Sequence, residues 1–109
     1  MTGKRVDTVR LQNLAMGFWQ SASLMSAIEL GLFTAVSKGA GTAAEIGAAA
    51  GITERNADRL ATVCRAMDLL ETSDDGRYRN APDVERFLVE GESTYAGPWM
   101  LFTKPRWGK

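Results

Sequence analysis

The sequence predicts a mainly α-helical domain: a winged-helix-like helix-turn-helix with a small β-hairpin, preceded by N-terminal helices. Three observations between Thr42 and Ala81 carry this reading. Two helix starts, Thr42 and Thr53, each open an apolar stretch, and the first has Glu45 three residues on, the spacing of a capping box. Gly51 between them suits the left-handed turn that ends a helix. Asp74-Asp75-Gly76 then marks a tight turn between two short strand-like runs, Leu70-Glu71-Thr72 and Tyr78-Arg79-Asn80.

Taken in order, residues 6–19 form the first helical stretch. Leu11, Leu14, Ala15 and Phe18 recur at i, i+3, i+4 and i+7 and make one stripe. Met16 and Trp19 lie beside it, so the apolar surface is wider than one internal contact requires. Helix spacing alone leans to an ordinary core helix with one exposed tryptophan; burial against another chain is the alternative. Residues 21–37 form a second helical region, with Met25, Ile28 and Leu32 on one face. Gly31 interrupts it, and Leu32 to Val36 resume as a short helix.

The first helix of the central unit covers Thr42 to Ala50, with the Glu45 carboxylate reaching back to the Thr42 N–H. The second runs from Thr53 to about Leu70, with Ala57, Leu60, Cys64 and Met67 on one face. Pro82 fits the first turn of a further helix to about Glu90, with Val84, Phe87 and Leu88 inward and Gly91 as its stop. Tyr95 to Phe102 is dense in large apolar groups, and Pro105 and Trp107 follow. Such a segment at the end of 109 residues implies a covering subunit or the front of a longer protein.

Length and composition bound the function. At 109 residues and 45% apolar, the chain can bury one modest core. No apolar run reaches the ~20 residues of a membrane span, and MTGKRVDTVR lacks the apolar centre of a signal peptide. One cysteine rules out an internal disulfide, so the expected location is cytoplasmic. With no histidine, the commonest general base and metal ligand is missing. No catalytic, cofactor-binding or metal residues are therefore assigned to these 109 residues.

The chain is formally neutral, but unevenly so. Lys4, Arg5 and Arg10 against Asp7 leave the first ten residues at +2. Lys104, Arg106 and Lys109 leave the last six at +3, so −5 lies between. On the longer helix Arg55, Arg59 and Arg65 are cancelled by Glu54, Asp58 and Asp68. A duplex reader shows a basic face. The helix-turn-helix is thus read as scaffold rather than as a reader of DNA through Glu54, Arg55, Asp58 and Arg59.

Other motifs reduce to local structure. Gly39 to Ala44 fits a loose GxGxxA dinucleotide fingerprint, but no strand precedes it and no βαβ unit follows. Cys64 sits on an apolar helix face and reads as core packing. Asp74, Asp75 and Asp83 read as turn residues rather than metal ligands. Trp99 and Trp107 suit packing, an interface or a ligand pocket alike.

The run from Ala27 to Gly91 resembles the N-terminal dimerisation domain of S-adenosylmethionine-dependent O-methyltransferases, of the plant phenolic and bacterial natural-product type. The ordered set is Ala27 to Phe33 (AIELGLF), Thr42 to Ile46 (TAAEI), Gly51-Ile52, Arg59-Leu60 with Arg65 and Leu69-Leu70, Gly76 to Tyr78, and Phe87-Leu88. It departs from the pattern at Gly47, where Ala is usual, at Cys64 and Met67, where Leu is commoner, and at Asn80, where Thr often opens the next helix. The resemblance covers roughly residues 6–103.

The resemblance implies that the preceding helices are dimerisation helices. It implies a homodimer whose first helix helps wall the acceptor pocket, placing Leu14, Phe18, Trp19, Trp99 and Phe102 at the dimer interface or pocket wall. Residues 1–20 are then an interface helix, 21–91 the winged-helix-like dimerisation domain, and 92–109 the start of a linker helix toward a catalytic domain supplied in cis or in trans. S-adenosylmethionine is implied for the full enzyme and a small aromatic or polyketide-like hydroxyl compound as acceptor. No cofactor, nucleic acid or membrane is expected to bind this chain itself. The alternatives are a small winged-helix transcriptional regulator and a stand-alone dimer binding a small aromatic ligand.

Overall fold

The computed structural model describes residues 6–102. The chain runs through α1 (Val9–Leu30), α2 (Leu32–Ser37), α3 (Ala43–Ala50), α4 (Glu54–Ala66), β1 (Leu70–Thr72), β2 (Tyr78–Asn80), α5 (Pro82–Phe87) and α6 (Gly97–Phe102). Both helix caps of the central unit form as read. The Thr42 side chain accepts from the Glu45 N–H at 3.2 Å, and Thr53 from the Asn56 N–H at 3.1 Å. The capping box closes one residue earlier than expected: the Glu45 carboxylate accepts from Gly41 N–H, at 2.9 Å, rather than from Thr42. The strands pair antiparallel, with Leu70 opposite Asn80 and Thr72 opposite Tyr78, and Gly76 turns at φ 83°.

Three helix boundaries differ from expectation. The stretches read as 6–19 and 21–37 join into one 22-residue helix, α1, because Gln20 to Ser23 contain no glycine or proline to stop it. About 33 Å long, it ends at Gly31 as anticipated. Helix α4 stops at Ala66, well short of Leu70. Asp68 takes the left-handed conformation at φ 61°. Its N–H donates to Arg65 O and the Leu69 N–H to Cys64 O, the paired bonds of a Schellman stop.

Helix α5 ends at Phe87 rather than near Glu90. The backbone then turns: Ala96 N–H donates to Phe87 O at 2.7 Å, and Glu90 N–H to the Thr34 hydroxyl at 3.0 Å. Phe87, expected inward, is 42% exposed, while Val84 and Leu88 are buried. Asn80 caps nothing. Buried at the end of β2, it donates to Phe33 O at 2.9 Å and to Glu85 at 2.8 Å, so it ties α2, β2 and α5 together.

The core lies within this unit. Ala27, Ile28, Leu32, Phe33, Ile46, Ala57, Ala61, Cys64, Leu70 and Val84 are all at or below 3% exposure. Gly47 is read out by packing, because a methyl there would stand 2.9 Å from the Ile52 carbonyl oxygen, in the turn that joins α3 to α4. Helix α1 stands largely outside this core and buries only Ala27 and Ile28, at its C-terminal end.

Candidate assembly surface and pocket wall

The site is built on the N-terminal half of α1. From Leu11 to Ile28 there are eighteen consecutive residues without a charge. Yet most of this stretch faces solvent, including Leu14 at 66%, Phe18 at 45% and Trp19 at 66%, with Val9, Leu11 and Met16 also exposed. Exposed helix ordinarily carries charge; depletion of charge with retention of aromatics and methionine marks the centre of protein interfaces.

Direction sharpens this. At about 100° per residue, Val9, Leu11, Leu14, Ala15, Met16, Phe18 and Trp19 span about 220° of the helix circumference, with Gln12 the one polar residue of this stretch among them. Arg10, Asn13, Gly17 and Gln20 fill the remaining strip. That polar strip lies on the side that, further along, carries Leu24, Ala27 and Ile28 into the chain's own core. The apolar arc therefore points away from the domain that bears it. A surface helix packed on one core carries an apolar stripe of about 100° or somewhat more; this arc is about twice that.

The predicted residues fall in two places. Leu14, Phe18 and Trp19 stand together on α1, where the Phe18 and Trp19 rings meet edge-on with centroids 6.0 Å apart. Trp99 stands on α6, which packs against α1, and is 68% exposed. Phe102 closes α6, but its side chain lies outside the described residues, as do Pro105 and Trp107. Sequence reasoning missed the hollows beside α1. One, of about 320 Å³, is lined by Gln20, Ser21, Leu24, Met67 and Leu69. A smaller apolar crevice is formed where α1, α5 and α6 converge. Leu24, four residues before Ile28, carries the i, i+4 signal that marks this side of α1.

Both arginines of the wing are paired within the domain. The Arg77 guanidinium donates to Glu45 at 2.7 Å and to Gly39 O at 2.8 Å, and Arg79 pairs with Glu71 at 3.0 Å. The Gly41 N–H, and then Arg77, hold the Glu45 carboxyl below its ordinary range. The Ser73 hydroxyl and the Arg77 N–H do the same for Asp75 in the turn. Asp83 accepts from the Val84 N–H at 2.8 Å. Burial pushes the Cys64 thiol up to about 12, so it stays protonated inside the core. The Gly39–Ala44 loop is held by the wing, with Gly41 O accepting from Tyr78 N–H at 2.9 Å.

Among the described residues no group of acidic or sulfur ligands could hold a metal, and no helix is long and apolar enough to cross a membrane. Fold and surface together define a helical domain made to assemble with protein. Residues 12–90 match the family model of the O-methyltransferase dimerisation domain, and the chain belongs to that family.

The chain is 41% identical over 101 residues to the 3-hydroxy-5-methyl-1-naphthoate 3-O-methyltransferase of Streptomyces sahachiroi, covering 89% of this chain and 29% of that protein. It is 38% identical over 91 residues to the N,N-dimethyltransferase OxyT of Streptomyces rimosus, covering 84% and 26%. The solved structure of PigF with SAH superposes at a TM-score of 0.79 and 27% identity, covering 92% of this chain and 33% of that one. The chain thus spans less than a third of the length of these curated relatives.

Proposed function

We propose that this chain forms the homodimer and part of the acceptor pocket of an S-adenosylmethionine-dependent methyltransferase acting on a small aromatic or polyketide-like hydroxyl compound. The observation that carries the reading is the uncharged apolar arc of α1, which points away from its own core. Leu14, Phe18, Trp19, Trp99 and Phe102 serve the dimer interface or the pocket wall. Residues 1–20 act as interface helix, 21–91 as the dimerisation domain, and 92–109 lead toward a catalytic domain in cis or in trans. That domain, rather than this one, binds S-adenosylmethionine, in a cytoplasmic setting.

A naphthoate O-methyltransferase among the relatives supports an aromatic acceptor; the N,N-dimethyltransferase shows that the same domain also occurs with transfer to nitrogen. The test is methyl transfer to a hydroxynaphthoate by the polypeptide that joins this chain to its catalytic domain. Trp19→Ala and Trp99→Ala are expected to raise KM for the acceptor several-fold and leave KM for S-adenosylmethionine unchanged. Equal shifts in both, or none in either, would remove these residues from the pocket wall.

A further inference from the structure

Residues 82–102 are closed on themselves. Helices α5 and α6 have six residues each, and isolated helices shorter than about 12 residues are marginal in water, so both depend on docking. Within the segment, Ala96 N–H donates to Phe87 O at 2.7 Å, the Thr94 hydroxyl to Arg86 O, and Met100 N–H to Ala96 O at 3.1 Å. The Tyr95 ring lies across Gly97, where even a methyl would run into it. We propose that this segment is a strap: a body hinged at the end of β2 and latched on α2 by hydrogen bonds, which opens as one unit before the rest of the domain unfolds.

Two features of the seam support this. The latch sits on one turn of α2. There the Ser37 hydroxyl donates to Glu85 at 2.6 Å, and the Thr34 hydroxyl accepts from Glu90 N–H at 3.0 Å. Asn80 divides its amide group between Phe33 O and Glu85, and so bridges α2 to the strap. The apolar part of the seam is incomplete. Val84 and Leu88 are buried, but a crevice of about 180 Å³ lies beside them, with Leu24 and Leu69 on the domain side and Val84, Phe87, Leu88 and Met100 on the strap. A gap of this kind forfeits the dispersion contacts that a closed core makes. Opening the strap widens the crevice. Because the chain leaves through α6, a displacement beyond Phe102 is passed to the strap's side of its walls. The strap belongs to a single chain and stands whether or not the chain pairs.

The test is native-state hydrogen exchange of the full chain, followed by NMR in low concentrations of urea. The amides of Leu88, Ala96 and Met100 are expected to share one opening free energy and one urea dependence, both smaller than those of Ala61 and Cys64 in α4. Two variants separate the strap from the fold. Ser37→Ala removes a latch bond and is expected to speed strap exchange roughly three- to tenfold. It speeds α4 as well, because both openings start from the same native state. Thr53→Ala removes the α4 cap and is expected to speed exchange in α4 about fivefold, leaving the strap amides unchanged. Equal acceleration of all of these amides by Thr53→Ala would mean that strap and fold open only together, and would overturn the proposal. Strap amides with differing urea dependences would do the same, as would a Ser37→Ala chain whose strap exchanges like the wild type.

Discussion

The two halves of this domain treat apolar groups in opposite ways. From α3 to β2 the large apolar side chains are enclosed or half-buried, Val63 at 40% exposure excepted. Ile46, Ala57, Cys64 and Leu70 are enclosed, both helices carry side-chain caps, and the Schellman turn at Asp68 closes α4. In the first half of α1, by contrast, Val9, Leu11, Leu14, Met16, Phe18 and Trp19 stand in solvent with no charge among residues 11–28. The contrast separates two kinds of apolar sequence. One folds the chain; the other remains after folding and is available for assembly.

Substitutions should expose that division. Phe33→Ala removes a fully buried ring and is expected to cost about 3–5 kcal/mol in a denaturant melt, enough to threaten the fold. Phe18→Asp should leave the melt of a diluted sample nearly unchanged, yet weaken self-association roughly 100-fold in sedimentation, as for a central interface residue. If both variants lost the same thermal stability and the same association, the two regions would not be separable.

How much of this was legible in the sequence follows the same division. The α3–β2 unit was readable because its signals are local: Thr42 with Glu45, Thr53, Gly51 and Asp-Asp-Gly each fix a cap or turn within a few residues. The errors came where distant contacts decide. Phe87 keeps helical spacing with Val84, but α5 stops there because the following backbone bonds to Thr34 and Phe87 O instead. The crevice beside it needs three helices from both ends of the chain, and no local pattern announces such a meeting. On α1 the apolar width was visible, but spacing does not say which side of a helix meets its own core. That required the burial of Ala27 and Ile28 to orient it.

Smaller effects test the folded half. Thr53→Ala should cost about 1 kcal/mol by freeing the Asn56 N–H. Asp68→Gly should instead stabilise by about 0.5–1 kcal/mol, since glycine adopts the left-handed stop without strain. Both are read from denaturant midpoints. The smallest concerns pH. Glu45 is held below its ordinary value of 4.5 by Gly41 and Arg77. Its contribution is thus present above that value and is lost as pH falls through the lowered one. Glu45→Gln is expected to flatten the acid side of the stability curve and leave the neutral side almost unchanged.

Sedimentation equilibrium of the wild-type chain tests the central claim most directly. The exposed arc of α1 predicts a dimer at micromolar concentration that Phe18→Asp converts to monomer. A wild-type chain that stays monomeric and soluble at high concentration would contradict it.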